Sequence, residues 1–204
     1  MDVDFQIDSK GPMNRMESLK VIKDTNLGTH LSDLKAYLTH FESVVAEQLQ
    51  KAESKTDRAY ETTFRLHTLI SSELAKTTAA CNLYATNLQT VPKELLTKFL
   101  GTAAGFYNRM RDYPMTRAVR DNYTALTLLA ASYTALKTYS LMVHREDVSL
   151  LAYEALEKIC PMIIELSDLL PQVVARETAL REGLVYDEAV IDRVTNAVRR
   201  CWHQ

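Results

Sequence analysis

From Leu31 onward the apolar residues Leu31, Leu34, Leu38, Phe41, Val45, Leu49 and Ala52 recur by threes and fours. That spacing puts one stripe on a long first helix. Thr56 and Asp57 offer capping side chains for a second helix, whose expected stripe is Tyr60, Phe64, His67, Ile70, Leu74, Cys81, Tyr84 and Leu88. The stretch from Asn87 to Pro92 ends it, because proline cannot continue the hydrogen-bond ladder. A shorter helix then carries Leu95, Leu96, Phe99, Leu100, Ala103, Phe106, Tyr107 and Met110, with Gly101 and Gly105 one turn apart, and Asp112-Tyr113-Pro114 stops it. Between Arg117 and His144 the chain is nearly apolar all round, which predicts a helix at the centre of a bundle. After the turn at His144 to Asp147, another strongly apolar helix runs from Leu150 to Leu170, bent at Pro161, and Pro171 and Gly183 punctuate the stretch beyond it. Asp187 to Trp202 forms an amphipathic tail helix with Val190, Val194, Ala197 and Cys201 along one side.

The beginning of the chain has a different texture. Val3, Phe5 and Ile7 alternate with Asp2, Asp4, Gln6 and Asp8, which predicts an extended arm with no second strand to pair with. The pattern therefore divides into an extended or mobile arm over 1–28, a helical bundle over 29–175 and a tail helix within 176–204. Short links at 53–57 and 144–148 make the helices they join antiparallel neighbours, the up-down logic of a four-helix bundle. The expected fold is all-α: four long helices, a short one between the second and third, and the tail. A narrow apolar stripe has no purpose on a solvated tail. Val190 and Val194 are thus expected to dock on the bundle or a neighbouring subunit, with Trp202 as anchor. Apolar residues on more than one side of the third and fourth long helices predict a homo-oligomer, most simply a dimer.

Composition narrows the function classes. Only five Gly and five Pro occur in 204 residues, too few turn formers for a sandwich or barrel. A formal charge of −2 provides no global field for a nucleic-acid backbone. Cys81, Cys160 and Cys201 are far apart and lack Cys-x-x-Cys spacing, so neither a zinc site nor a disulfide framework is encoded. No signal-peptide core is present in Met1 to Lys10, and no apolar run has membrane-spanning length. These features predict a cytoplasmic protein without a nucleic-acid or membrane partner.

Ala118-Val119-Arg120-Asp121, leading into the Ala-rich helix with Tyr139, resembles the YciE/YciF-like branch of the ferritin-like superfamily. Leu31-Ser32-Asp33-Leu34 and the stretch from Phe64 to His67 resemble it as well, and the similarity runs from about Leu31 to Pro171. The resemblance implies a ferritin-like four-helix bundle, usually dimeric, holding a di-metal centre between its helices. Such a centre draws on Glu-x-x-His, because residues three apart on a helix can reach one metal. The chain contains no Glu-x-x-His. By the resemblance, Leu38 replaces the first-helix carboxylate, Ile70, Ser72 and Leu74 stand at or near the second-helix ligand positions, and Ser132 and Ala135 replace glutamates of the third long helix. Loss in three helices predicts a bundle without metal or cofactor.

The remaining candidate chemistry is sparse. His40, Glu42 and Glu47 share one helix; His67 sits on an apolar stripe as a hydrogen-bonded core or interface histidine, with Glu73 poorly spaced to join it. His30 and His203 lie near element ends, and Arg109, Arg111, Arg117 and Arg120 gather around the Pro114 turn, with Asp112 and Asp121 interleaved. Tyr123, Tyr133 and Tyr139 on the central helix are the candidate lining of an interior ligand cavity. No Walker loop, nucleophile elbow, dinucleotide fingerprint or zinc-protease motif is present. The expected function is that of a non-enzymatic, metal-free scaffold acting through oligomerisation or an unidentified protein partner. The alternatives are a metal-binding ferritin-like oxidase or storage protein and a small-molecule sensor with a tyrosine-lined interior.

Overall fold

A computed structural model describes residues 15–52, 55–84 and 114–202, with side chains from Asp24 to Cys201. The arm at Val3 to Ile7, the short helix from Leu95 to Met110, Arg109, Arg111, His203 and the side chain of Trp202 lie outside the described residues. Five helices are described: α1 Arg15–Lys51, α2 Arg58–Tyr84, α3 Pro114–Met142, α4 Glu146–Glu182 and α5 Glu188–Trp202. Among the described residues there is no strand.

Cross-helix contacts fix the direction of every helix. As α1 advances from Asp24 through His30 and Tyr37 to Gln48, its partners on α3 and the adjoining turn retreat from Arg145 through Tyr139 and Ala125 to Asn122. Along α2 the sequence Arg58, Thr62, Glu73, Tyr84 meets Gln172, Glu165, Lys158 and Asp147 of α4. Both pairs are antiparallel, and so are α1 with α2 and α3 with α4 across their short turns. Helices α2 and α3 therefore run parallel, touching where Thr77 meets Tyr133. The chain leaves α2 beside Asp147 at one end of the bundle and enters α3 beside Glu177 at the other.

Local chemistry sets the helix ends. Asp57 caps α2, its Oδ1 accepting from the Tyr60 amide at 2.7 Å, and Asp187 caps α5 through the Ala189 amide at 2.9 Å. Pro114 opens α3, where its missing N–H costs nothing, and Glu177 of α4 accepts from the next two amides, Met115 and Thr116, at 2.9 Å each. A carboxylate there also faces the positive end of the helix dipole. At the far end, His144 adopts φ 60° to turn the chain between α3 and α4.

The structure departs from the sequence-based expectations at several places. Helix α1 begins at Arg15, so 15–28 is helix and not arm; the helical spacing of Leu27 and Leu31, both fully buried, continues the stripe backwards. In α2 the buried face is Ala59, Thr62, Leu66, Ile70, Glu73, Thr77, Ala80 and Cys81, while Phe64 is exposed. Three of those positions are polar, so the apolar stripe, which shares Ile70 and Cys81 with the buried face and has Leu74 and Tyr84 packed against the core, is turned to one side of it. Helix α3 buries a single stripe through Val119, Leu126, Leu129, Tyr133 and Leu136; its outer positions, including Thr124, Thr127, Ala131 and Thr134, face solvent. The threonine hydroxyls there bond back to carbonyls four residues earlier, so these residues suit an exposed helix face despite their low polarity. Helix α4 runs unbroken through Pro161 and Pro171 to Glu182. Both prolines lie off the buried stripe. The boundary between bundle and tail therefore falls at Gly183, whose φ of 68° is the left-handed cap glycine alone adopts at no cost.

The tail packs against α4 with Val190 and Val194 on the groove-lining side beside Ile191, though they stay 42% and 41% exposed. Ile191 is the buried residue of α5, at 6%, and Arg199 grips Asp168 of α4 through two contacts of 3.0 and 2.5 Å. Ile191→Ala is expected to cost about 2 kcal/mol of docking, at the low end for such truncations because the site is open on one side. Amide exchange should quicken within 188–202 while α1–α4 keep their protection.

Candidate functional site

Two places in the fold concentrate chemistry or open surface: the polar centre of the bundle, and a groove at its α5 end. At the centre, Glu73 of α2 is completely buried. Its Oε1 accepts from the ammonium groups of Lys76, one turn along, and of Lys158 on α4, both at 3.4 Å. Lys76 also reaches Glu154 at 3.5 Å. One turn further along α2, the Thr77 hydroxyl and the Tyr133 phenol lie 3.2 Å apart in the diagonal contact between α2 and α3. Burial drives the Tyr133 hydroxyl far above its ordinary pKa, so it is a neutral phenol in the core.

The same arrangement recurs along the α2 seams. Glu165 of α4 accepts from Thr62 at 2.9 Å and pairs with Arg65. Glu42 of α1 faces the His67 Nε2 at 3.1 Å and accepts from Ser71 at 3.2 Å. Each of these three carboxylates joins α2 to a neighbouring helix through a basic side chain. Between α1 and α3, Gln48 and Asn122 exchange amide hydrogen bonds of 2.8 and 3.2 Å with Asn122 buried.

His67 thus lies between helices, its Nε2 facing Glu42 and not Glu73. The three tyrosines have different surroundings among the described residues. Tyr133 is core, Tyr139 packs on the His30 ring at 5.0 Å between centroids, and Tyr123 lines the distant groove. Of the positions marked by the family resemblance, Leu38 and Ile70 are buried, but Ser72 and Ala135 are exposed and point away from the axis. The interior polar side chains include Glu73, Thr77 and Tyr133, so carboxylate is not lost from the interior. Sequence reasoning missed Lys76, Lys158, Arg65 and Glu165 as partners. The i, i+3 spacing of Glu73 and Lys76 was the available signal. Among the described residues no three His, Cys, Asp or Glu side chains come together as a metal site.

The groove has a volume of about 620 Å³. Leu170, Pro171 and Val174 of α4 form its floor, with Tyr123 of α3 on one side and Val190 and Val194 of α5 on the other. It exists because α5 folds back over α4 from Gly183 while meeting it mainly at Ile191 and Arg199, leaving its valine edge raised over the floor.

No protein-family model matches the chain, and no curated protein sequence matches it. A crystal structure of a protein from Xanthomonas campestris pv. campestris is similar in fold, with a TM-score of 0.64 at 19% identity over 79% of this chain and 99% of that one. Helices packed as a bundle are what the two share.

Proposed function

We propose that this protein is a non-enzymatic helical scaffold of ferritin-like architecture, without a working metal centre, which acts by oligomerising or by binding a protein partner. The carrying observation is the fate of the interior carboxylates. Glu73, completely buried, has two ammonium groups at 3.4 Å instead of a second carboxylate or an imidazole. A metal ion beside Glu73 would meet both ammonium charges at close range, and neither lysine can serve as ligand while protonated. The residues do not fit a di-metal group. The connectivity supports the architectural half of the reading, because a parallel α2 and α3 require one long cross-connection, as in ferritin-like folds. Burial pushes the Cys81 thiol above its ordinary pKa and makes it an inert core residue.

Growth in medium supplemented with iron, manganese and zinc, followed by elemental analysis, is the direct test. Well below one metal ion per chain is expected, with a melting temperature indifferent to chelator. Stoichiometric metal whose removal lowers the melting temperature would establish the oxidase or storage alternative instead.

A further inference from the structure

The groove keeps Val174, Val190 and Val194 half-exposed along its length. An apolar furrow of that kind marks an interaction site. The sequence supplies an apolar face to match it in 85–113, the 29 residues outside the described structure that join α2 to α3. At 100° per residue, Leu95, Phe99, Phe106, Tyr107 and Met110 fall on one side of the helix predicted there, and Lys98, Asn108 and Arg109 fall on the other.

The two ends of that stretch fix its route. It leaves Tyr84, whose phenol pairs with Asp147 of α4, and it arrives at Pro114, beside which Glu177 of α4 accepts from the Met115 and Thr116 amides. Asp147 and Glu177 stand 30 positions apart on α4, about 45 Å along its axis, so the connection travels the length of that helix. Only 111–113 separate Met110 from Pro114, which ties Met110 to within about 14 Å of the start of α3 even at full extension. The groove begins at the same place, since Thr178 and Ala179 of its lining directly follow Glu177. From there it follows α4 back to Ser167, about 18 Å, close to the helical length from Phe99 to Met110.

We infer that the groove is the seat of this chain's own 95–110 segment, whose apolar face fills it with Phe106, Tyr107 and Met110 between Tyr123 and the valine edge of α5. The volume of about 620 Å³ suits a row of large side chains, with the helix that carries them, about 10 Å across, lying over the mouth. The tether favours this occupant over a second copy: a segment held this close acts at an effective concentration on the order of millimolar, far above that of separate chains at micromolar concentration. The inference goes beyond the scaffold reading and does not depend on it.

Photocrosslinking of the full chain tests this, with p-benzoylphenylalanine in place of Val190. After irradiation at micromolar concentration, peptide mapping is expected to join position 190 to 95–110 within a single chain of 23.2 kDa. A link to a second copy would overturn the inference, and so would the absence of any link to 95–110. A second measurement changes the seat itself. The double substitution Val174→Asp and Val194→Asp alters two half-exposed side chains and should speed chymotrypsin cleavage after Phe106 and Tyr107 about tenfold, because the segment then spends more time off the bundle, while the helical circular dichroism stays as in wild type. An unchanged cleavage rate in that folded variant would count against the seat, and if the variant folds poorly the crosslink alone decides.

Discussion

Tyr133→Ala is expected to lower the unfolding free energy by about 3–5 kcal/mol, the range for deleting a buried aromatic ring. The ring is fully enclosed at the diagonal contact between α2 and α3, so the cavity opens where no loop can collapse into it. Removing the phenol also takes the partner of Thr77. Tyr133→Phe separates the two effects. It keeps the ring and should cost only about 1 kcal/mol, the net worth of one neutral hydrogen bond. Chemical denaturation of both variants measures this. Equal costs for the two would mean that the hydroxyl, and not the packing, holds the diagonal.

The combined change Lys76→Met and Lys158→Met should cost about 3 kcal/mol. Removing the partners of a buried charge leaves that charge uncompensated, which usually costs about 3–5 kcal/mol. The lower end applies because the two lysine side chains are 35% and 49% exposed and already share their charge with water. The loss belongs to the stranded carboxylate, so Glu73→Gln in the same background should restore most of it. A cycle of the three variants reads the coupling directly. If Glu73→Gln fails to rescue, the lysines act through their apolar stems. The Oε2 of Glu73 has no protein partner in the core, which makes the charge unusually dependent on these two ammonium groups.

Much of the framework was legible in the chain because it rests on short-range chemistry. The helical period, the Asp57 cap and the turn at His144 to Asp147 each depend on residues within a turn or two of one another. The tail helix was legible from its stripe for the same reason. A bundle with few turn formers admits no other class. The resemblance to ferritin-like proteins led to expectations at Ser72 and Ala135 that the burial pattern does not support, since a one-position shift on a helix rotates a side chain by about 100°.

What lay beyond the sequence was everything set by a second helix. Apolar periodicity could not identify the inner face of α2, because Thr62, Glu73 and Thr77 are buried on the strength of Glu165, Lys158 and Tyr133, which lie 56 to 103 residues away. A polar side chain counts as interior only when its partner is known, and pairing partners are a property of the packed bundle. For the same reason the sequence announced an amphipathic tail while tertiary structure alone decided which edge it buries. The preceding helix accepts Ile191 and anchors Arg199 through Asp168, and this leaves Val190 and Val194 half-open along the groove. By itself, the sequence determined that long amphipathic helices form and where most of them turn; only the tertiary structure decided which charges are neutralised inside and which apolar surface remains open, because burial and pairing are fixed between helices and not along them.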